Sequence, residues 1–171
     1  MNLSYIRTLW EEMRLVNGIT LRAIEAVPED KIDSRPIRDM RTPKELICHM
    51  AETMRCCAVG TTQGKITLDE NAEKGVGLET RADLARAMKD AWKTADAAVQ
   101  SLTESQATST VQTPWGFTPP AWVCIQIIFD EHLHHRGQLY AYLRALGVEP
   151  PFLWDFEHNA PEYQPKQHQA V

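Results

Sequence analysis

The 171-residue sequence predicts an all-α fold, a bundle of four main helices, from three observations. Four segments of about 20 residues or more repeat their apolar residues at helical spacing. No series of segments alternates with the two-residue period of strands. Two of the four segments open on a Thr-Pro start signal, a cap followed by a proline at the first helical position.

The first segment runs from about Leu3 to Val27, with Tyr5, Leu9, Met13, Val16 and Ile19 or Thr20 on one stripe. Gly18 weakens its middle without stopping it, and Pro28-Glu29-Asp30 ends it. The second starts at Thr42-Pro43-Lys44-Glu45, a capping box in which Thr42 and Glu45 satisfy each other's backbone amides. Leu46, Ile47, Met50, Met54 and Cys57 form its stripe, and the Gly60–Gly64 stretch marks its end. Residues 66–78 read as loop.

The third helix covers about Thr80 to Leu102, on Leu84, Met88, Ala91, Ala95, Ala98 and Leu102. A polar connection, Thr103 to Gln112, leads to a candidate short hairpin at Val111–Phe117. The fourth helix is expected to start at Thr118-Pro119-Pro120 and to stop at Gly147, with Pro150-Pro151 barring any continuation. The long second and third connections argue against a simple up-down-up-down order. Residues 1–171 are expected to form one domain, with a helical core at about 3–151 and a tail, 152–171, that packs on the bundle in its first part and frays at its end.

Hydrophobic residues make up 43% and charged residues 24%, the proportions of an ordinary soluble domain. The net charge of −5 and the absence of any basic run give no footprint for nucleic acid. No apolar run is long enough for a bilayer, and the first residues lack the pattern of a secretory leader. The cysteines, Cys48, Cys56, Cys57 and Cys124, form no C-x-x-C pair. They read as reduced structural thiols of a cytoplasmic protein.

The chemistry concentrates in Asp130-Glu131-His132-Leu133-His134-His135-Arg136-Gly137-Gln138. A helix turns about 100° per residue, so Glu131 and His135, or His132 and His135, can chelate one cation. With the core direction set by Ile125, Phe129, Leu139 and Leu143, His132 points inward. His135 then lies at the edge of that face, Glu131 a little further round, and His134 roughly opposite. His49 on the second helix can face the same interior. The pattern therefore offers His49 and His135 with either Glu131 or His132 as a divalent-metal site. A purely structural reading has His132 and His135 bonded to Glu131, Asp130 or Arg136. A buried Arg136 would in turn need a carboxylate, Glu52 or Asp130.

Phe129 through Leu139, followed by Tyr142-Leu143-Arg144 and Leu146-Gly147, resembles the signature of the DinB/YfiT-like family. The second-helix stretch Thr42-Pro43 with Leu46-Ile47-Cys48-His49-Met50-Ala51 resembles that family's other site segment. The resemblance covers about Leu3 to Pro151 and implies the DinB-like four-helix bundle. It also implies that His49 and His135 are metal ligands and that the third ligand position falls on Glu131, where the family commonly has histidine. A His-Glu-His set suits zinc, nickel, iron or manganese. Gly137 reads as a site of close helix approach and Gln138 as a partner for nearby polar groups.

The family includes thiol-dependent S-transferases and isomerases and metal-dependent hydrolases. The implied function is therefore a metal-dependent enzyme acting on a small-molecule substrate, with Tyr5, Trp10, Trp92, Trp115 and Trp122 as candidate pocket walls. The alternative is a non-catalytic binding or interaction protein with a vestigial site. The resemblance favours a homodimer, and the outward His134 and the tail aromatics Trp154 and Phe156 are the candidate contacts. No DNA contact is implied by this acidic chain.

Overall fold

The structure, a computed structural model, describes residues 2–165; His168 and the expected frayed end of the tail lie outside them. Four long helices form the bundle. They are α1 (Leu3–Glu25), α2 (Pro43–Gln63), α4 (Arg81–Ser101) and α6 (Ala121–Ala145), with short helices α3 (Glu70–Glu73) and α5 (Glu104–Thr108) in the connections. No helix among the described residues is long and apolar enough to cross a membrane.

Asn2 caps α1 by accepting from the Tyr5 amide. The buried face of α1 lies one residue from the expected stripe. Ile6, Trp10 and Asn17 join Leu9, Met13, Ile19 and Thr20 inside. Tyr5 and Val16 are only half-buried, and the Tyr5 hydroxyl donates to Gln126 Oε1 at 2.6 Å. Gly18 stands where the tail crosses: an added Cβ would lie 2.4 Å from Asn159 Nδ2. Asn159 is buried there and donates to the carbonyls of Leu15 and Tyr163.

The expected capping box opens α2. Thr42 Oγ1 accepts from the Glu45 amide at 3.1 Å, and Glu45 Oε2 accepts from the Thr42 amide at 2.8 Å. A second box, Thr80 with Asp83, opens α4. Leu46, Ile47 and Met54 from α2, Leu84 and Met88 from α4 and Ile125 and Leu143 from α6 are all fully buried in one core. Trp10 and Trp92 stack in it with ring centroids 4.9 Å apart and planes 7° from parallel.

Pairs of contacts give the helix order. Tyr5–Gln126 and Thr20–His132 run α1 and α6 in the same direction. Trp10–Asp96 and Glu25–Lys89 run α1 and α4 in opposite directions. His49 faces Glu131 while Thr53, one turn on, shares a cleft with Ile127, so α2 and α6 are antiparallel. The bundle is therefore up-down-down-up, and α2 and α4 are parallel. Parallel neighbours need a connection that travels back the length of a helix. Residues 64–80 do this, running along α2 from Gly60, which touches Ile66, past Glu52, which accepts from the Asp69 amide, to Cys48, which touches Gly75. The expected loop thus contains a helical turn, α3, capped by Asp69.

The expected hairpin reduces to isolated bridges. Lys65 pairs with Gln112 and Thr110 with Pro120, and no strand forms among the described residues. The Val111 amide donates to the Pro119 carbonyl at 2.8 Å and the Ala121 amide to the Ser109 carbonyl at 2.9 Å, closing a loop that carries Trp115 and Phe117. This pinch also corrects the start of the last helix. Each residue before a proline is pushed from helical to extended backbone. Thr118 and Pro119 both precede prolines, so α6 begins at Ala121 behind Pro120, without a side-chain cap. It ends in a Schellman arrangement at Gly147, with the Val148 amide on the Leu143 carbonyl and the Gly147 amide on that of Arg144.

The described tail folds back over α1, as expected of its first part. Arg22 binds Asp155 at 2.7 Å, and Tyr163 is buried with its ring 6.0 Å from that of Trp92.

Candidate metal centre

His49, Glu131 and His135 come together between α2 and α6, each offering one donor atom, with all three atoms within 4.8 Å of one another. The helix periodicity explains the α6 pair: residues four apart stand one above the other. His135 Nε2 lies 3.0 Å from Glu131 Oε2. His49 arrives from the antiparallel α2, its Nε2 3.9 Å from the same oxygen. The two imidazoles meet nearly edge to face, centroids 4.7 Å apart and planes at 83°.

The far sides of both rings are held. His49 Nδ1 lies 2.7 Å from Glu73 Oε1, and His135 Nδ1 lies 2.9 Å from Gln138 Oε1. A carboxylate and an amide oxygen only accept, so each Nδ1 carries the proton and donates it. Each Nε2 lone pair is then turned toward Glu131. This is the tautomer and orientation a metal-ligating histidine takes from its outer partners. A lone pair facing a carboxylate oxygen at 3.0 Å needs a positive centre between them. Burial pushes His135 below the usual imidazole range and the neighbouring His49 adds to this, while the Gln138 bond and Glu131 oppose it.

The DinB family model matches residues 1–166. The chain belongs to the DinB family. It is 23% identical over 138 residues to the protein YjoA of Bacillus subtilis strain 168, covering 79% of this chain and 87% of that one. The crystal structure of a DinB-like protein from Bacillus subtilis, YjoA, superposes with a TM-score of 0.66, covering 81% of this chain and 91% of that chain at 23% identity. A DinB-like protein from Bacillus cereus gives 0.71 at 14% identity, with 84% and 94% covered. At these identities the likeness concerns the fold.

In this DinB family chain His132 points inward, as expected, but away from the cluster. It is 2% exposed, and its Nε2 lies 2.7 Å from Thr20 Oγ1 on α1. The Thr20 hydroxyl donates to the Val16 carbonyl, so the His132 Nε2–H donates to Thr20. Burial, with Arg136 and His135 nearby, holds His132 down to about 3. It is a neutral core histidine, and Glu131 takes the third position of the cluster. Neither Glu131 nor Asp130 bonds it, so the structural reading fails for His132 and holds only for His135, which meets Glu131. His134 is exposed and accepts from Gln138 Nε2 at 3.1 Å.

Arg136 departs from the expectation of a carboxylate partner. Glu52 is engaged by Arg55 and the Asp69 amide, Asp130 by Gln126, and no ion pair to Arg136 forms among the described residues. Gly137 is exposed, and a Cβ added there would meet nothing within 4 Å, so no helix approaches at that point. Gln138 does satisfy a polar group, and that group is the ring of His135.

Glu73 is the site residue that sequence reasoning misses. The Asp69 cap of its helical turn is a readable signal, but nothing in the sequence says that this turn lies against His49.

Beside the cluster is a cleft of about 340 Å³ lined by His49, Thr53, Trp115, Phe117, Ile127 and Glu131. Of the five aromatics expected as walls, Trp115 takes that role. Trp10 and Trp92 form the core stack, and Tyr5 is tied to Gln126. All four cysteines are free and buried. Burial pushes the thiols of Cys48 and Cys124 up to about 11, and the neighbouring Cys56 together with burial raises that of Cys57. These thiols stay protonated and offer no nucleophile to the cleft.

Proposed function

We propose that this protein binds one divalent metal ion through His49 Nε2, Glu131 and His135 Nε2 and is a metal-dependent enzyme, a thiol S-transferase or hydrolase acting on a small molecule. The observation that carries the reading is the pair of outer bonds, Glu73 to His49 Nδ1 and Gln138 to His135 Nδ1, which turn both Nε2 atoms toward one carboxylate. Two imidazoles and a carboxylate suit zinc, nickel, iron or manganese. With three protein ligands, coordination positions stay open, and a metal so held acidifies a bound water or thiol. Glu73 and Gln138 fix the ring orientations, Glu131 supplies negative charge, and Trp115, Phe117 and Ile127 give the cleft an apolar wall that favours a substrate with an apolar part.

The test is elemental analysis of the purified protein beside His49→Ala and Glu131→Ala, followed by turnover assays with thiols, electrophiles and esters. About one metal per chain, lost in both variants, together with metal-dependent turnover, supports the reading. A wild type that takes up no zinc, nickel, manganese or ferrous iron sinks it.

A second reading, a non-catalytic binding protein with a vestigial site, is favoured by one observation. Glu131 contacts His135 directly at 3.0 Å, and a proton shared there closes the cluster without a metal. That reading expects His49→Ala to alter stability but no metal content.

A further inference from the structure

On the opposite face of α6 lies a second cavity that the metal-site reading does not use. At about 100° per residue, Phe129, Leu133 and Arg136 point roughly away from the side of Ile127, Glu131 and His135. These three residues, with Leu15 and Val16 of α1 and Trp154 of the tail, line a groove of about 520 Å³. That is within the range of small-molecule sites. Its walls are mainly apolar, and Leu153 and Phe156 extend them.

The groove's cation has no anionic partner among the described residues. Arg136 Nη1 is buried without a hydrogen bond, and no carboxylate among the described residues lies within ion-pair distance of it. Glu12 lines the same groove but is exposed and makes no ion pair with it. Asp155, the acid the tail brings to this side, is held by Arg22 and His158. One turn further along α6, the Tyr140 hydroxyl is also buried without a partner, and the Tyr140 ring centroid lies 6.0 Å from the Arg136 guanidinium carbon. A guanidinium stays charged under all ordinary conditions, and leaving one partly buried and unpaired is costly. An apolar groove with one unsatisfied cation fits an anion with an apolar body.

We propose that this groove is a ligand site for a small apolar monocarboxylic acid, whose carboxylate pairs with Arg136 while its body lies against Leu133, Phe129 and Trp154. A planar carboxylate matches the fork of the guanidinium. Trp154, 71% exposed without a ligand, becomes covered on binding.

The test is calorimetric titration of the full chain with decanoate and, separately, with decanol, its uncharged counterpart. Decanoate binds one per chain, and decanol binds at least about tenfold more weakly, the size of one charge-assisted hydrogen bond. Arg136→Gln, checked for folding by circular dichroism, removes that preference. Trp154→Ala, at an exposed position, weakens both probes and serves if Arg136→Gln does not fold. His49→Ala leaves decanoate binding unchanged, which separates this groove from the metal centre. Equal binding of decanoate and decanol, or decanoate binding lost with His49→Ala, overturns the proposal. So does a sedimenting dimer that Trp154→Ala dissociates, in a protein that binds neither probe, because the groove is then filled by a second copy.

Discussion

Glu73 holds His49 by a 2.7 Å bond to Nδ1, Glu73 lying on the passage that returns along α2 and His49 on α2 itself. The connection that makes α2 and α4 parallel is therefore also part of the candidate site. Removing the carboxylate frees the imidazole to rotate. Glu73→Ala is expected to weaken zinc affinity by about 10–100-fold, the usual effect of losing an outer partner. Competition against a chromophoric chelator measures it, and an unchanged affinity would show that Glu73 orients nothing.

Glu131 and His132 are adjacent but face different neighbours, so their variants should separate. Glu131→Ala is expected to abolish metal uptake with little loss of stability, since the side chain is 45% exposed. His132→Ala is expected to keep the metal while losing about 1–3 kcal/mol of stability, because it empties a buried position and leaves Thr20 without its donor. Metal content and urea denaturation of both variants decide. The reverse pattern would place His132 in the coordination sphere.

The Trp10–Trp92 stack lies at the centre of the α1–α4 contact, and the Trp10 indole N–H donates to Asp96 at 2.9 Å. Trp10→Ala is expected to cost about 3–5 kcal/mol, the range for deleting a large aromatic from a packed core. A shift of the urea midpoint below about 1 kcal/mol in equivalent stability would mean that the core does not close around this pair.

The two capping boxes that hold a carboxylate, Thr42 with Glu45 and Thr80 with Asp83, set a pH dependence. The Thr42 amide holds the Glu45 carboxyl below its usual 4.5, with Arg35 adding to the effect. The Thr80 hydroxyl and the amides of Glu79 and Thr80 hold Asp83 below its usual 3.8. Both groups are depressed on folding, so in acid the unfolded chain binds more protons and stability falls as pH falls. The contribution is complete above 4.5 and disappears as pH drops through the folded values. Glu45→Gln with Asp83→Asn should flatten the stability profile below pH 4.5 relative to the parent. Parallel profiles would rule the boxes out as its source.

Burial of all four cysteines predicts that none reacts with a disulfide reagent such as DTNB in the native protein at pH 8, a value chosen about 3 units under the raised thiols. Four thiols should appear on denaturation. Rapid labelling of the native chain would place at least one of them in an open cleft.

The sequence by itself determined what local chemistry controls. Thr42-Pro43-Lys44-Glu45 states where α2 begins, because cap and box are satisfied within four consecutive residues. Glu131 and His135 are bound to share a face of any helix that contains them, by its 3.6-residue period. His49 was reachable because it lies beside an apolar stripe that must face the core. Where backbone partners come from elsewhere, local signals fell short. Thr118 is a good cap in isolation, yet paired prolines and the bridge to Thr110 carry the start of α6 to Ala121. Gly137, read as a packing position, faces open space. Only the tertiary structure decided the rest. It turned His132 to Thr20 instead of the cluster, left Arg136 without a carboxylate among the described residues, and laid Glu73 against His49. Each depends on which helices run parallel and on the path the crossover takes, and those follow from how whole apolar faces are buried together rather than from any short pattern of residues.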